Sequence, residues 1–392
     1  MPRQTCAVTV ADREQGIDKR VTWAELFFDL VFVVAVTRVS GLLEQHVSWG
    51  SALRALIVFV PIYWLWVGTS IQTNVQDASR PLVRIRIFGV ALAGVFMALS
   101  LPVSFGHLGL LYALAYWLGR ILLGTGLVVD AARARSWPVN PVTVSMVVTG
   151  PLLIVGALVH GDAREAIWAG AAIIDLATPT VLRPRLRGMQ LDAGHLAERF
   201  GLFVLIALGE SVVSVGTSAD PGRLSVAQGC AVAAAFVVSC GLWWVYFHFA
   251  ADAVRYALAT AKVQLDIARL VLSYGHLSFI AAIILVAVGL RASIAQPAES
   301  LGWALCMLLV GGTALYLASF GFTRWAMFRL VSWTRLTAAA AVLVLLPVAR
   351  HVPALATLGL LALVLIILNT VELIRVEQIG WRALLARRAA TG

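Results

Sequence analysis

The sequence is poor in charged residues and in cysteine, and both shortages limit the kind of protein that it encodes. Asp, Glu, Lys and Arg account for 13% of its 392 residues, while 60% are hydrophobic and the mean hydropathy is +0.89. Soluble domains carry about 25% charged residues, so this shortage excludes a soluble protein. The four cysteines include no CxxC pair and no histidine at metal-ligand spacing. We therefore expect an integral membrane protein without disulfides, metal or cofactor.

Motifs typical of enzymes, secreted proteins and nucleic-acid-binding proteins are also missing. The polar first 20 residues lack the apolar core and the small-residue cleavage site of a signal peptide. Phosphate-binding glycine loops and the HExxH and GxSxG motifs do not occur, so we do not expect an enzyme. The formal net charge of +10 comes from arginines spread between apolar segments, not from one basic tail. We therefore expect no nucleic-acid partner.

Apolar segments long enough to cross a bilayer follow one another along the chain. A spanning helix needs about 20 residues to cross a hydrocarbon core of roughly 30 Å. The segments are apolar on nearly all faces, unlike membrane strands, which alternate polar and apolar residues. The sequence therefore predicts an all-α polytopic membrane protein with about twelve transmembrane helices. They lie at about 24–43, 51–71, 84–103, 107–128, 140–159, 164–182, 197–217, 225–250, 267–290, 299–320, 333–349 and 353–374.

Lysine and arginine are concentrated in alternate loops. One set of loops, together with both chain ends, holds 23 of these residues, whereas the opposite set holds 5. Short cytoplasmic loops carry the excess of positive charge in membrane proteins. We therefore predict that both termini are cytoplasmic, which requires an even number of spans.

An internal repeat divides the chain into two halves. AELFFDLVFVVAVTRVS (24–40) aligns with AERFGLFVLIALGESVV (197–213) at a shift of 173 residues, with five identities in 17 positions. Two halves of six spans that start on the same side predict parallel repeats, and such folds place their sites at the repeat interface. The predicted organisation is a cytoplasmic tail (1–23), a first six-helix repeat (24–182), a basic cytoplasmic linker (183–196), a second six-helix repeat (197–374) and a cytoplasmic C-terminal tail (375–392).

Glu210 lies near the middle of its predicted span, where a charged group is costly and needs a partner, a water-filled cavity or a function. Ser214 and Thr217 follow it at helical spacing, and Ser211 widens this polar stripe. Arg38 aligns with Ser211 in the repeat, so one interpretation is a buried Arg38–Glu210 pair. A second is proton or cation coupling through Glu210, and a third is a solvated acid without a role in transport.

Two further acids, Glu25 and Asp29, lie four residues apart at the start of the first span and share one helix face. The positive end of the helix dipole stabilises acids there by about 0.3–1 kcal/mol each, which is one interpretation. The other is that both line a cytoplasmic vestibule. In the repeat alignment Glu25 matches Glu198, whereas Asp29 matches Leu202 and has no acidic counterpart. Asp29 and Glu210 therefore break the symmetry of the repeat, and we expect function at both.

Asp175 and His276 are the remaining ionisable candidates within predicted spans. Pro179 follows Asp175 at i+4 and frees the carbonyl of residue 175. This pattern indicates either a cation or proton site or a polar kink held by Thr178. His276 is either a hydrogen-bonded structural residue or a proton shuttle.

Two long motifs, VTWAELFFDLVFVVAV near the N-terminus and HLAERFGLFVLIALGESVV in the second half, resemble the bacterial low-temperature-requirement A family over nearly the whole chain. The WWVYF and YGHLSF segments are similar to that family as well. The resemblance implies a polytopic inner-membrane protein whose family name comes from a growth phenotype in the cold. It also implies that the important positions of the two motifs are Glu25, Asp29, Glu198, Arg199, Gly209 and Glu210.

Three functional hypotheses follow. The leading one is a proton-coupled secondary transporter for an unknown small solute or ion, with Glu210 as the coupling acid. The second is a cation or proton channel, because the aromatic-x-aspartate pattern of FFD resembles the two-repeat endolysosomal potassium channel family, although Leu202 replaces the aspartate in the second half. The third is a membrane scaffold or sensor that transports nothing.

Overall fold

The structure is a computed structural model that describes residues 19–45, 47–134, 139–217, 224–248 and 250–390. Within these ranges the chain is helical, and its only strand-like contact is one isolated bridge between Ser300 and Pro353. The predicted all-α class is therefore confirmed for the described chain. The helices are α1 (Trp23–Gln45), α2 (Trp49–Val75), α3 (Pro81–Ser100), α4 (Gly109–Ala134), α5 (Pro141–Leu158), α6 (Asp162–Val181), α7 (Ala193–Thr217), α8 (Val226–Phe247), α9 (Ala251–Thr260), α10 (Gln264–Ala295), α11 (Trp303–Phe328), α12 (Trp333–Ala349) and α13 (Ala354–Ala390).

Eight helical stretches of the described chain are long and apolar enough to cross a membrane. They are α1, α2, α3 with the turn that follows it, α5, α8 continued through α9, α10, α11 and the first part of α13. Helix α12 and the Gly109–Thr125 part of α4 are apolar but shorter. These helices support a multi-pass membrane protein, while the total of twelve spans stays a prediction.

Two helices extend beyond the ends of the spans predicted from the sequence. Helix α7 begins at Ala193, within the predicted linker, and α13 continues to Ala390 through the predicted C-terminal tail. Charged residues end the apolar run after residue 374, but Arg, Glu, Gln, Leu and Ala are all good helix formers. Hydropathy therefore marks where a membrane segment ends and does not mark where the helix ends.

Side-chain caps fix where α1 and α7 begin. The backbone N–H and the hydroxyl of Thr22 each donate to Glu25 Oε2 at 2.9 Å, in the first turn of α1. Asp192 precedes α7, and its Oδ1 accepts from the backbone N–H of His195 at 2.8 Å. The bonds donated by the Thr22 and His195 N–H groups satisfy backbone donors that a helix start otherwise leaves without partners. They also place Glu25 and His195 in the first turns of neighbouring helices.

Helices α1, α2, α7 and α10 meet in the interior, since α1 packs against the other three and α7 packs against α2 and α10. Four aromatic side chains, which we call the aromatic layer, fill the space between them: Phe32, Tyr63, Trp66 and Phe203. None is more than 1% exposed. Trp66 stacks on Phe203 with ring centroids 4.1 Å apart, and such a pair adds about 0.5–1.5 kcal/mol to simple burial. The layer closes the centre of the bundle.

Three helices contain π-helical turns, at Ser145–Thr149 in α5, Ala268–Gly275 in α10 and Met307–Gly311 in α11. Such turns widen the helix and redirect side chains and carbonyls, often at functional sites. In α10, the carbonyls of Leu272 and Ser273 accept from the Tyr63 hydroxyl at 3.2 and 2.7 Å. This contact links α2 to α10 across the interior.

Candidate functional site

Four ionisable side chains lie between the first two turns of α1 and the first two turns of α7. We call them the Arg199 cluster: Glu25, Asp29, His195 and Arg199. Each is at most 1% exposed. Arg199 Nη2 lies 3.0 Å from Asp29 Oδ1, and Arg199 Nη1 lies 4.0 Å from Glu25 Oε1. His195 Nε2 lies 3.1 Å from Glu25 Oε1. The two acids thus meet two basic groups from the other half of the chain.

Helix α2 completes this cluster with polar groups. Trp66 Nε1 donates to Asp29 Oδ1 at 2.8 Å, and Arg199 Nη2 donates to Ser70 Oγ at 3.2 Å. The guanidinium carbon of Arg199 lies 5.9 Å from the Phe28 ring centroid and 5.7 Å from that of Trp66. Glu25 Oε1, Asp29 Oδ2 and Arg199 Nε and Nη1 have no hydrogen-bond partner among the described residues. Buried groups without partners are costly, so this cluster retains binding capacity.

A second cluster, the Arg291 cluster, joins α1, α7 and α10 further along the bundle. It contains Thr37, Glu44, Glu210 and Arg291. The Thr37 hydroxyl donates to Glu210 Oε2, while Arg291 Nη2 lies 2.8 Å from Glu210 Oε1. Arg291 Nε also lies 2.7 Å from Glu44 Oε1. Glu210 is 2% exposed and Glu44 32%, so one arginine bridges a buried and a partly exposed acid.

The predicted Arg38–Glu210 pair is wrong. Arg38 is exposed, and the arginine bound to Glu210 is Arg291. The repeat alignment placed Arg38 at the depth of Glu210 but did not specify its face, and Arg38 follows Thr37, which takes the face toward Glu210. Ser211 is buried, and its hydroxyl has no hydrogen-bond partner among the described residues.

The polar stripe predicted beyond Ser211 is only partly described. The side chains of Ser214 and Thr217 lie outside the described residues.

The two clusters are separated by the aromatic layer. Asp29 and Thr37 are eight residues apart on α1, which corresponds to about 12 Å along the helix axis. Phe32 lies between them in the chain, and its ring centroid is 6.2 Å from that of Phe203 on α7. A path along the α1–α7 interface would therefore pass one charged cluster, an apolar constriction and a second charged cluster.

Asp175 lies in a third polar cluster, formed within the first half by α4, α5 and α6. Ser145 Oγ and Thr149 Oγ1, from the π-helical turn of α5, donate to Asp175 Oδ1 at 2.7 and 3.0 Å. The Tyr116 hydroxyl donates to Asp175 Oδ2 and accepts from Arg120 Nε at 3.1 Å. Asp175 and Arg120 are each 1% exposed. Hydroxyl donors thus satisfy both oxygens of Asp175, and one buried arginine lies behind Tyr116.

The other two candidates have different surroundings. His276 is fully buried, with its Nε2 2.7 Å from the Tyr246 hydroxyl and its Nδ1 2.9 Å from the carbonyl of Val271. This arrangement matches the structural interpretation of His276. Glu198 is exposed and lines a groove of about 330 Å³ together with Asp252 and the basic side chains of Lys19, Arg20 and Arg255. Its environment therefore differs from that of Glu25, its partner in the repeat alignment.

Sequence reasoning missed several residues of these clusters. Arg120 lies within a predicted span, and an arginine at that depth was itself a signal for a buried acid. Arg291 and Glu44 lie near predicted span ends, where charges attract no attention, and His195 falls in the predicted linker. Only the packing of helices distant in sequence brings Arg291, Glu44 and His195 to their partners, whereas Arg120 contacts Tyr116 within its own helix.

In the two interface clusters, the Arg199 cluster and the Arg291 cluster, the carboxylates outnumber the arginine. Each contains two carboxylates and one arginine, and the Arg199 cluster also contains His195. An uncompensated charge in a membrane interior costs on the order of 3 kcal/mol or more. One bound proton or one monovalent cation would neutralise the Arg291 cluster, and would neutralise the Arg199 cluster when His195 is neutral. The described residues contain no group of three or more His, Cys, Asp or Glu side chains arranged to hold a metal ion.

Comparison with known proteins agrees with the resemblance noted in the sequence. The profile of the family described as bacterial low temperature requirement A protein (LtrA) matches residues 20–370. An uncharacterized protein of Rhizobium meliloti (strain 1021) is 30% identical over 321 residues, which cover 78% of this chain and 78% of that protein. No solved structure matches the chain. The chain belongs to the bacterial low temperature requirement A protein family.

Proposed function

We propose that this protein is a proton-coupled secondary transporter of a small solute or ion. In this proposal the Arg199 cluster and the Arg291 cluster each bind and release a proton. The observation that carries the proposal is the ratio of two carboxylates to one arginine in each cluster. A structural ion pair needs one acid for one base, whereas a proton-coupled carrier needs an acid whose protonation is tolerated in the membrane. The excess acid in each cluster meets that need.

Glu210 is the coupling acid in this proposal. Protonation removes its negative charge and weakens its contact with Arg291. Arg291 then keeps Glu44, whose Oε1 lies 2.7 Å from Arg291 Nε, so the arginine is not left as an isolated charge. A shared arginine therefore lowers the cost of protonating Glu210 and makes the α7–α10 contact sensitive to the proton.

We further propose twelve spans in two parallel six-helix repeats, with α1–α6 forming one repeat and α7, α8 and α10–α13 the other. Corresponding helix pairs pack alike: α1 against α3 and α7 against α10, and α2 against α6 and α8 against α13. Thr37 contacts Glu210 and Lys19 contacts Asp192, each across 173 residues, which equals the repeat shift. If an axis between α1 and α7 relates the two proposed repeats, equivalent residues of the two repeats are expected to contact each other beside it.

The same proposal places both termini in the cytoplasm of a bacterial inner membrane, following the distribution of arginine and lysine. The Arg199 cluster, in the first two turns of α1 and of α7, then faces the cytoplasm, and the Arg291 cluster faces the opposite side. The aromatic layer between them closes the path in the state described. The chain is not an enzyme in this proposal, and its partners are lipid and the transported solute or ion.

Flux into proteoliposomes with an enclosed pH dye tests the proposal. Amino acids, sugars and inorganic cations are added singly, and at least one class is expected to drive proton movement in the native protein. Glu210→Gln is expected to reduce this movement at least tenfold, because an amide binds no proton at neutral pH. Glu299→Gln, at an exposed loop carboxylate, is the matched control and is expected to keep the native rate.

Native flux in Glu210→Gln would remove Glu210 from the coupling role. Single-channel currents far above the turnover rates of carriers would replace the transporter with the channel. Absence of flux with every solute, in vesicles that contain folded protein, would contradict transport and favour the scaffold.

A further inference from the structure

The Arg199 cluster has one excess acid, and three of its side chains are able to bind the neutralising proton: Glu25, Asp29 and His195. We propose that Asn74 of α2 holds His195 in its neutral form, so that the proton resides on Asp29. This inference rests on the proposed proton coupling for its meaning in transport. It assigns the proton-binding residue of the cluster and a positioning residue outside it.

The orientation of the Asn74 amide is determined by the backbone of Asp192. The backbone N–H of Asp192 donates to Asn74 Oδ1 at 2.9 Å, and Asn74 Nδ2 donates to the Asp192 carbonyl at 2.9 Å. Rotating the amide by half a turn would place Asn74 Nδ2 against the Asp192 N–H, which is also a donor, and Asn74 Oδ1 against the Asp192 carbonyl, which is also an acceptor. The second hydrogen of Asn74 Nδ2 therefore points at His195 Nδ1, 3.1 Å away.

This orientation determines which nitrogen of His195 carries a hydrogen. Because Asn74 donates to Nδ1, that nitrogen must accept, and the single ring hydrogen is on Nε2. Nε2 donates to Glu25 Oε2 at 3.4 Å and lies 3.1 Å from Glu25 Oε1. A second hydrogen, on Nδ1, would face the Asn74 N–H at 3.1 Å. His195 is therefore a neutral donor in this state and does not supply the missing positive charge.

The two carboxylates differ in the surroundings of their oxygens. Glu25 Oε2 accepts from the N–H and the hydroxyl of Thr22 and from His195 Nε2. Glu25 Oε1 accepts no hydrogen bond from the described residues, but it lies 3.1 Å from His195 Nε2 and 4.0 Å from Arg199 Nη1, and donors and positive charge near both oxygens favour the ionised form. Asp29 Oδ1 accepts from Trp66 and lies 3.0 Å from Arg199 Nη2, whereas Asp29 Oδ2 has neither a hydrogen-bond partner nor an ion-pair contact among the described residues. A bare charged oxygen costs more to bury than a hydroxyl, so the proton resides on Asp29 Oδ2.

Neighbouring ionisable groups do not change this balance. Lys19 and Asp192 lie at the rim, where the Lys19 backbone N–H donates to Asp192 Oδ2 at 3.3 Å. They add one positive and one negative charge. From α10, His276 approaches through Phe200, with ring centroids 5.1 Å apart. His276 faces the Val271 carbonyl and the Tyr246 hydroxyl, which matches a neutral ring. One excess acid therefore remains.

Isotope labelling of the native protein in lipid nanodiscs tests the assignment without any substitution. Infrared difference spectra across a pH change are recorded with ¹³C-aspartate or ¹³C-glutamate. We expect a protonated carboxylic acid band that shifts with labelled aspartate, does not shift with labelled glutamate, and is absent in Asp29→Asn. Nitrogen NMR of ¹⁵N-histidine protein is expected to show His195 as the neutral Nε2–H form, identified by its loss in His195→Gln.

Asn74→Asp tests the positioning role. A carboxylate facing Nδ1 would accept a hydrogen and favour the imidazolium form of His195. We expect the nitrogen signals of His195 to change to those of the cation and the Asp29 band to persist, because the new carboxylate and the imidazolium add opposite charges and leave one excess acid in the cluster. A purely structural role for Asn74 would leave the form of His195 unchanged.

The proposal is overturned if native His195 is an imidazolium at neutral pH, or if the carboxylic acid band shifts with labelled glutamate and persists in Asp29→Asn. An unchanged His195 form in folded Asn74→Asp would also overturn it. None of these measurements requires transport, so this inference and the proposed function can fail separately.

Discussion

The Asp175 cluster and the Arg199 cluster both bury an aspartate and an arginine, yet they differ in how completely their polar atoms are satisfied. Around Asp175, three hydroxyls bind both carboxylate oxygens, and one acid is matched by one arginine. In the Arg199 cluster the acids outnumber the arginine, and two carboxylate oxygens and two guanidinium nitrogens have no hydrogen-bond partner among the described residues, compared with the single nitrogen Arg120 Nη2 in the Asp175 cluster. A buried carboxylate therefore does not by itself indicate function.

The positions of the two clusters match this difference. The Asp175 cluster is built from α4, α5 and α6 within one half of the chain, whereas the Arg199 cluster joins α1 and α2 to α7. Movement of one half against the other would leave the first cluster intact and rearrange the second. We therefore interpret Asp175 as a structural acid that holds the π-helical turn of α5, and we favour this over a coupling role.

The largest effect is expected from Arg199→Gln. This change leaves Glu25 and Asp29 buried without an arginine, and breaking buried ion pairs costs about 3–5 kcal/mol. Because Arg199 serves two acids, we expect a loss of unfolding free energy near the upper end, about 5 kcal/mol, measured by equilibrium unfolding in mixed micelles. Arg187→Gln, at an exposed arginine, is the control, and equal losses in the two variants would contradict the ion-pair assignment.

A pair of aspartate substitutions sharpens the comparison directly. Asp175→Ala leaves three buried hydroxyls without their carboxylate acceptor and Arg120 without a nearby negative charge, and we expect a loss of about 3 kcal/mol. Asp29→Asn keeps an acceptor for Trp66 and removes the excess acid, so we expect a loss below about 1.5 kcal/mol. Unfolding in the same micelles measures both. A larger loss for Asp29→Asn would show that the cluster is an ordinary structural ion pair.

The smallest effect is expected from Lys19→Met. Lys19 Nζ donates to carbonyls at the end of α2, including those of Asn74 and Gln76 at 3.0 and 2.6 Å. Burial lowers the pKa of Lys19, and the charges of Glu25 and Asp192 oppose this shift. Loss of a cation at a helix C-terminus costs about 0.3–1 kcal/mol. Thermal unfolding should show this small loss, with no change in Arg20→Met; a loss above that of Asp175→Ala would contradict a capping role.

Much of the architecture was predictable from the sequence because it depends on local composition. Long apolar runs require helices in a membrane, and the alignment at a shift of 173 residues predicted a helix at α1 and another at α7. The first turn of α1 was predictable too, since a threonine followed three residues later by a glutamate is a capping pattern. The family resemblance implied that Asp29, Glu210 and Arg199 are important, and all three lie in the Arg199 cluster or the Arg291 cluster.

The partners of these acids were not predictable in the same way. A helix period specifies the face of a residue on its own helix, but not which neighbouring helix that face meets. Arg38 and Arg291 were both available to Glu210 by charge, and only the packing of α1, α7 and α10 selects Arg291. The same holds for His195, which the sequence placed in a linker.

The sequence by itself determined the helical membrane class, the family and the acids that interrupt apolar helices, because hydropathy and repeat periodicity are properties of consecutive residues. Only the tertiary structure decided which acids share an arginine, which oxygens have no partner and how Asn74 orients on His195. Those features depend on distances between atoms more than 100 residues apart in the chain. Electrostatic energies in a membrane interior vary steeply with such distances.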